Sequence, residues 1–169
     1  MRLELDEELL NAVLNGTERG LEMTGLRPPA VGASRFTSAQ RPIAVLVGLV
    51  GRNSGSVTLN MSERAMLFIA GKLLGEEQLD PNENNLDAIM EIGNQVAGSI
   101  KENLKDTSFD VQVISVPSLI LGASYSVHYA RGLSTLSVDF ELSEIPITFY
   151  QDRVFTVTVS LMRRVGTIG

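Results

Sequence analysis

The chain has 169 residues with 14 basic and 20 acidic side chains, one His, and neither Cys nor Trp. That length and a composition of 44% apolar and 20% charged residues suit one packed domain, residues 1–169, and not a disordered tail. The lack of Cys and the lone His exclude disulfides, thiol catalysis and Cys or multi-His zinc sites, and a net charge of −6 disfavours nucleic acid and anionic lipid as main partners. No apolar run approaches the roughly 18–20 residues of a membrane span. The acidic stretch Glu4-Leu5-Asp6-Glu7-Glu8 does not read as a secretion signal, so a cytoplasmic protein with no membrane partner is expected.

Residues 6–23 read as a first helix, with Leu9, Leu10, Val13, Leu14 and Leu21 at helical spacing and Gly25 where a C-terminal cap would sit. Residues 27–40 contain Pro28, Pro29 and Gly32 and form a connection or an irregular edge strand, since Pro cannot occupy the centre of a sheet. The β-branched run 43–50 and the alternating run 56–60 flank turn chemistry at Arg52-Asn53-Ser54-Gly55 and read as a hairpin. Residues 64–74 read as a second helix, capped by Ser62 and stopped by Gly75. A polar loop with Pro81 leads to the longest helical pattern, residues 86–105. Strands are expected at 111–116, 125–130, 133–142 and 154–162, with a link through Pro117 after the first. Helices followed by a run of alternating strands predict an α+β fold: an antiparallel sheet with helices packed on one face.

Most chemical motifs are missing. His128 lies inside a strand pattern and is read as a structural His, with no Ser-His-Asp site to be located around it. Gly48, Gly51 and Gly55 lack the Lys-Ser/Thr and the strand-to-helix context of a phosphate loop, and a hairpin explains them. Arg163 and Arg164 read as a solvated strand end.

The long helix is the informative segment. At about 100° per residue, Leu86, Ile89, Met90, Gly93, Val96, Ala97, Ile100 and Leu104 share one arc, the expected buried face. Asp87, Glu91, Asn94, Gly98, Lys101 and Lys105 lie opposite. Glu91 and Asn94, at i and i+3, stand side by side. Gly98 costs about 0.8–1 kcal/mol relative to Ala in a helix interior. Facing solvent, it would leave a notch where a partner could approach the backbone, whereas Gly93 is explained by close packing on a neighbouring element. By spacing alone the Glu/Asn pair is equally part of a solvated face, since Glu8 and Asn11 repeat it in the first helix.

The segment Leu86-Asp87-Ala88-Ile89-Met90-Glu91-Ile92-Gly93-Asn94-Gln95-Val96-Ala97-Gly98 resembles the signature helix of the CheX branch of the CheC/CheX/FliY family of chemotaxis phosphatases. Glu91, Ile92, Asn94, Ala97 and Gly98 match the pattern E-I-x-N-x-x-A-G. The hairpin Val47 to Ser62, the helix end Ala70 to Glu77 and the segment Val116-Pro117-Ser118-Leu119-Ile120-Leu121-Gly122 resemble the family's flanking segments, so the likeness runs over about 43–161.

The resemblance implies a CheC-like fold and removal of the phosphoryl group from the aspartate of a phosphorylated CheY-type receiver. Asn94 would place the attacking water and Glu91 would engage the receiver's lysine. Asp87, Gly98 and Lys101 would contact the partner. The chain would need no cofactor of its own, with Mg²⁺ expected in the receiver. A homodimer is implied too, with the apolar strand 154–162 as a candidate exchanged edge. Glu8 and Asn11 are followed by Asn15-Gly16-Thr17 in place of the Ala-Gly pattern, so a single site is expected. The alternative is a non-catalytic receiver-binding or flagellar-switch-like module.

Overall fold

The computed structural model describes residues 5–36, 41–122 and 132–162. The first helix, α1 (Glu7–Gly20), is capped by Asp6, whose Oδ1 accepts the Leu9 amide at 3.1 Å. It passes through a 3-10 turn at Glu22–Thr24 and ends at Gly25, which is left-handed at φ 72°. The edge strand β1 (Ala30–Ser34) follows, then the hairpin β2 (Ile43–Gly51) and β3 (Gly55–Met61). Helix α2 (Glu63–Leu74) has the expected Ser62 cap and Gly75 stop. Helix α3 (Glu83–Leu104), strands β4 (Val111–Ile114), β5 (Ser118–Leu121) and β6 (Leu133–Glu141), a 3-10 segment (Ile147–Asp152) and β7 (Val154–Met162) complete the order.

All pairings are antiparallel and the sheet runs β1-β6-β7-β3-β2. Strands β4 and β5 lie end to end along the outer side of β2. The helices cover one face, where Val45, Val47, Leu49, Val57, Leu59, Val157 and Val159 are buried among residues of α1, α2 and α3. The expected α+β architecture is therefore the one observed.

Four expectations change. Helix α3 starts at Glu83, inside the expected polar loop, because Asn82 and Asn85 form a reciprocal capping box. Fully buried Asn85 also donates to the Asp80 carbonyl at 2.9 Å and to Gln78 Oε1 at 3.1 Å, which ties the loop to the helix. Second, the expected link after Pro117 contains a strand, β5. It continues the β4 edge beyond an irregularity at Ser115, whose Oγ accepts the Gly48 amide at 2.7 Å. Third, the buried arc of α3 is wider than expected. Ala88 and Ile92 are buried, while Leu86 and Met90 are only half-buried. Fourth, β7 is not an edge, since β3 pairs with one side of it and β6 with the other. The expected strand at 125–130, His128 and the Arg163-Arg164 pair lie outside the described residues.

The wide arc follows from close packing on two sides. A Cβ on Gly16 would lie 2.4 Å from Ile100 Cγ1, and one on Gly20 would lie 2.5 Å from Val96 Cα, so α1 rests almost on the α3 backbone. On the sheet side, a Cβ on Gly93 would lie 2.4 Å from Val45 Cγ1. Ala at that position gains helix propensity of about 1 kcal/mol but forces an overpacked contact costing about 1–3 kcal/mol. Gly93→Ala should therefore lower the denaturation midpoint in urea. An unchanged or raised midpoint would contradict this packing.

Candidate functional site

Packing against α1, α2 and the sheet leaves one strip of α3 facing outward. Asp87, Glu91 and Gln95 on it are exposed, and Asn94, Gly98 and Lys101 are half-buried. The structure thus brings all five expected site residues, Asp87, Glu91, Asn94, Gly98 and Lys101, onto one narrow surface. Its N-terminal half is acidic, which the positive end of the helix dipole favours, and its C-terminal half carries Lys101 and Lys105.

The side chains differ in how they are engaged. Glu91 Oε1 accepts a hydrogen bond from Gln95 Nε2 at 2.7 Å, an i, i+4 contact along the strip. Among the described residues its other oxygen has no hydrogen-bond partner, and neither does the Asn94 amide, so both can meet an incoming group. Lys101 is not free. Its Nζ lies 2.7 Å from Glu102 Oε1, and that hydrogen bond and charge hold the Glu102 carboxyl below its usual range. The contribution of that pair is present above about pH 4.5 and is lost as the carboxyl is protonated at lower pH. A partner carboxylate reaching Lys101 would share its ammonium with Glu102.

Gly98 is less open than a solvent-facing position would be. The side chain of Ile114, on the edge strand β4, walls one side of the notch, 3.8 Å from where a Cβ would stand. That is ordinary contact distance, so nothing inside the fold requires glycine here, in contrast to Gly93. Sequence reasoning missed two members of the site. Gln95 was signalled by its i+4 spacing from Glu91, whereas Ile114 had no local signal because its approach is made by tertiary packing.

The similar pair on α1 sits in a different setting. Glu8 and Asn11 are exposed, but Glu8 accepts a hydrogen bond from Ser108, and the nearby Gly16 is buried against Ile100 in place of forming a notch. Among the described residues no group of three or more His, Asp or Glu is placed to hold a metal ion. No helix among them is long and apolar enough to cross a membrane.

A family model described as chemotaxis phosphatase CheX matches residues 43–141, more than half of the chain and all of α3. No curated protein matches by sequence. Several solved structures share the fold. A CheC-like superfamily protein from Shewanella sp. PV-4 superposes with a TM-score of 0.78 at 19% identity, covering 94% of this chain and 100% of that one. Chemotaxis protein CheX from Vibrio vulnificus gives 0.71 at 22% identity, covering 92% and 97%. The Borrelia burgdorferi CheX–CheY–BeF3–Mg²⁺ complex gives 0.72 at 23%, covering 96% and 100%.

Because no internal contact requires glycine at 98, Gly98→Ala should leave the fold as stable or raise its stability by up to about 1 kcal/mol. Thermal unfolding monitored by circular dichroism checks this, and a lowered midpoint would show that the notch is a packing requirement.

Proposed function

The chain belongs to the chemotaxis phosphatase CheX family, and from that premise we propose that it hydrolyses the aspartyl phosphate of a CheY-like receiver, with the outer strip of α3 as its active surface. The observation that carries the proposal is the Asn94 amide, which has no partner among the described residues and stands beside Glu91 above the Gly98 notch.

The residue types suit the chemistry. An acyl phosphate has a good leaving group, and phosphoryl transfer is loose, with little bonding to the attacking oxygen. A strong base is not required. What helps is a water held in line, and the Asn94 side-chain oxygen can accept a hydrogen bond from it without bringing negative charge to the phosphoryl group. Glu91, held from one side by Gln95, offers its second oxygen to the receiver's lysine as a charge-assisted contact. Asp87 and Lys101 flank that contact, and Gly98 lets the partner close on the helix.

This reading assigns no cofactor to the chain. In this proposal the Mg²⁺ enters with the receiver; the Borrelia burgdorferi complex contains CheX, CheY and Mg²⁺ together. The protein acts in the cytoplasm, where such receivers reside. If it works as a homodimer, the contact belongs at an open sheet edge, β1 or β4–β5, because both sides of β7 are already paired.

The test follows phosphate release from a phosphorylated receiver. Asn94→Ala should slow turnover by about 10²-fold, the scale of a lost orientation effect. Glu91→Ala should chiefly raise KM, by about tenfold for each ~1.4 kcal/mol of lost contact. Wild-type turnover in Asn94→Ala would overturn the assignment. Receiver binding without any acceleration by the wild type would leave the non-catalytic binding module in its place.

A further inference from the structure

A second surface lies away from α3. Helix α2, the 75–79 loop and the start of the 3-10 segment enclose a groove of about 780 Å³, and no residue of α3 lines it. Leu67, Phe68 and Phe149 are among its apolar lining residues. Leu79 on its rim is 76% exposed, Phe149 is 39% exposed, and Ile147 and Tyr150 on the same 3-10 segment are 69% and 65% exposed. Large apolar side chains clustered this openly mark an interaction surface.

The charges around the groove define the occupant. Its two basic residues are already engaged. Arg64 Nε lies 3.2 Å from Asp152 Oδ2 and its guanidinium lies 3.7 Å over the Phe149 ring. Lys72 Nζ lies 3.1 Å from Glu144 Oε1 and 5.2 Å from the Phe68 ring centre. These contacts fix the groove walls and remove its positive charge. By contrast, the carboxylates of Glu63, Glu76 and Glu77 have no ion-pair partner among the described residues. An apolar trough with an anionic rim repels nucleic acid and anionic lipid headgroups. It also disfavours a second copy of this chain, since the chain's net charge is −6 and a two-fold contact through the groove would bring two copies of the same anionic rim into one interface.

We propose that this groove docks a cationic amphipathic segment of a partner protein, with apolar anchors on Leu67, Phe68 and Phe149 and Lys or Arg side chains over Glu63, Glu76 and Glu77. This is the groove mode of peptide recognition, in which apolar side chains give anchorage and complementary charge gives selectivity. The groove is distinct from the outer strip of α3, because no residue of α3 lines it and α3 reaches it only through Asn85, which holds Gln78 from the inner side.

The probe is a fluorescein-labelled synthetic peptide of about 14 residues, with Leu at i, i+3, i+4 and i+7 and Lys elsewhere, titrated with the full chain and read by fluorescence anisotropy. Saturable binding is expected, weakened about tenfold or more by Leu79→Asp and by Glu76→Lys/Glu77→Lys, the scale of losing an anchoring contact. All three residues are exposed, so the fold should persist, which circular dichroism verifies. The double variant Glu7→Lys/Glu18→Lys on α1, no residue of which lines the groove, changes net charge equally and should bind as the wild type does. Asn94→Ala should also bind normally, which separates this site from the α3 surface. The proposal is overturned if no saturable binding is seen, if both charge reversals weaken binding equally, or if a Glu-for-Lys peptide binds as well. Sedimentation showing a dimer that Leu79→Asp dissolves would give the groove to a second copy and overturn it too.

Discussion

The near-contact of α1 with the backbone of α3 is the constraint on which the rest depends. Two glycines one turn apart, Gly16 and Gly20, leave no side chain between the helices, so Ile100 and Val96 press against the backbone of α1. Gly93 does the same towards β2. A helix held this closely on two sides cannot roll. Its outer strip is therefore presented in one orientation, and an amide on that strip has a defined reach. Orientation of a single water is worth little on a mobile element and much on a fixed one. The rigidity of α3 is thus part of the chemistry proposed for Asn94.

The site built on that helix is small because its partner would supply the rest of the chemistry. Glu91 is steadied by Gln95, Lys101 is occupied by Glu102, and Ile114 walls one side of the Gly98 notch. None of these residues lines the groove against α2. The surface is a ridge with a recess, a shape suited to entering another protein's concave site. That groove's charge and lining point to a different kind of partner.

The sequence was legible where local chemistry decides. The Ser62 cap, the Gly75 stop, the β2–β3 hairpin and the Glu91/Asn94/Gly98 strip follow from short-range patterns, and the structure reproduces them. It was misread where tertiary contacts decide. The apolar–hydroxyl alternation of β7 shows which face meets the helices, but it does not show whether the strand's edges are paired. The strand is internal because β3 pairs with one side and β6 with the other, where Ser137 and Thr135 meet Thr158 and Ser160 at 2.8 and 2.9 Å. Asn82 and Asn85 look like loop residues until their reciprocal bonds make them the start of a helix. Ala88 and Ile92 fall off a one-sided arc because α3 is enclosed by more than the sheet.

The central claim separates binding from chemistry, and one measurement addresses that separation. Single-turnover hydrolysis of a phosphorylated receiver at saturating wild-type or Asn94→Ala protein should be paired with the affinity of each for a receiver held in its activated form by beryllofluoride. The account predicts that the variant binds the activated receiver as tightly as the wild type while its hydrolytic step falls towards the receiver's own rate. Equal hydrolytic steps in the two saturated complexes would contradict it, and so would a slower turnover explained entirely by weaker binding.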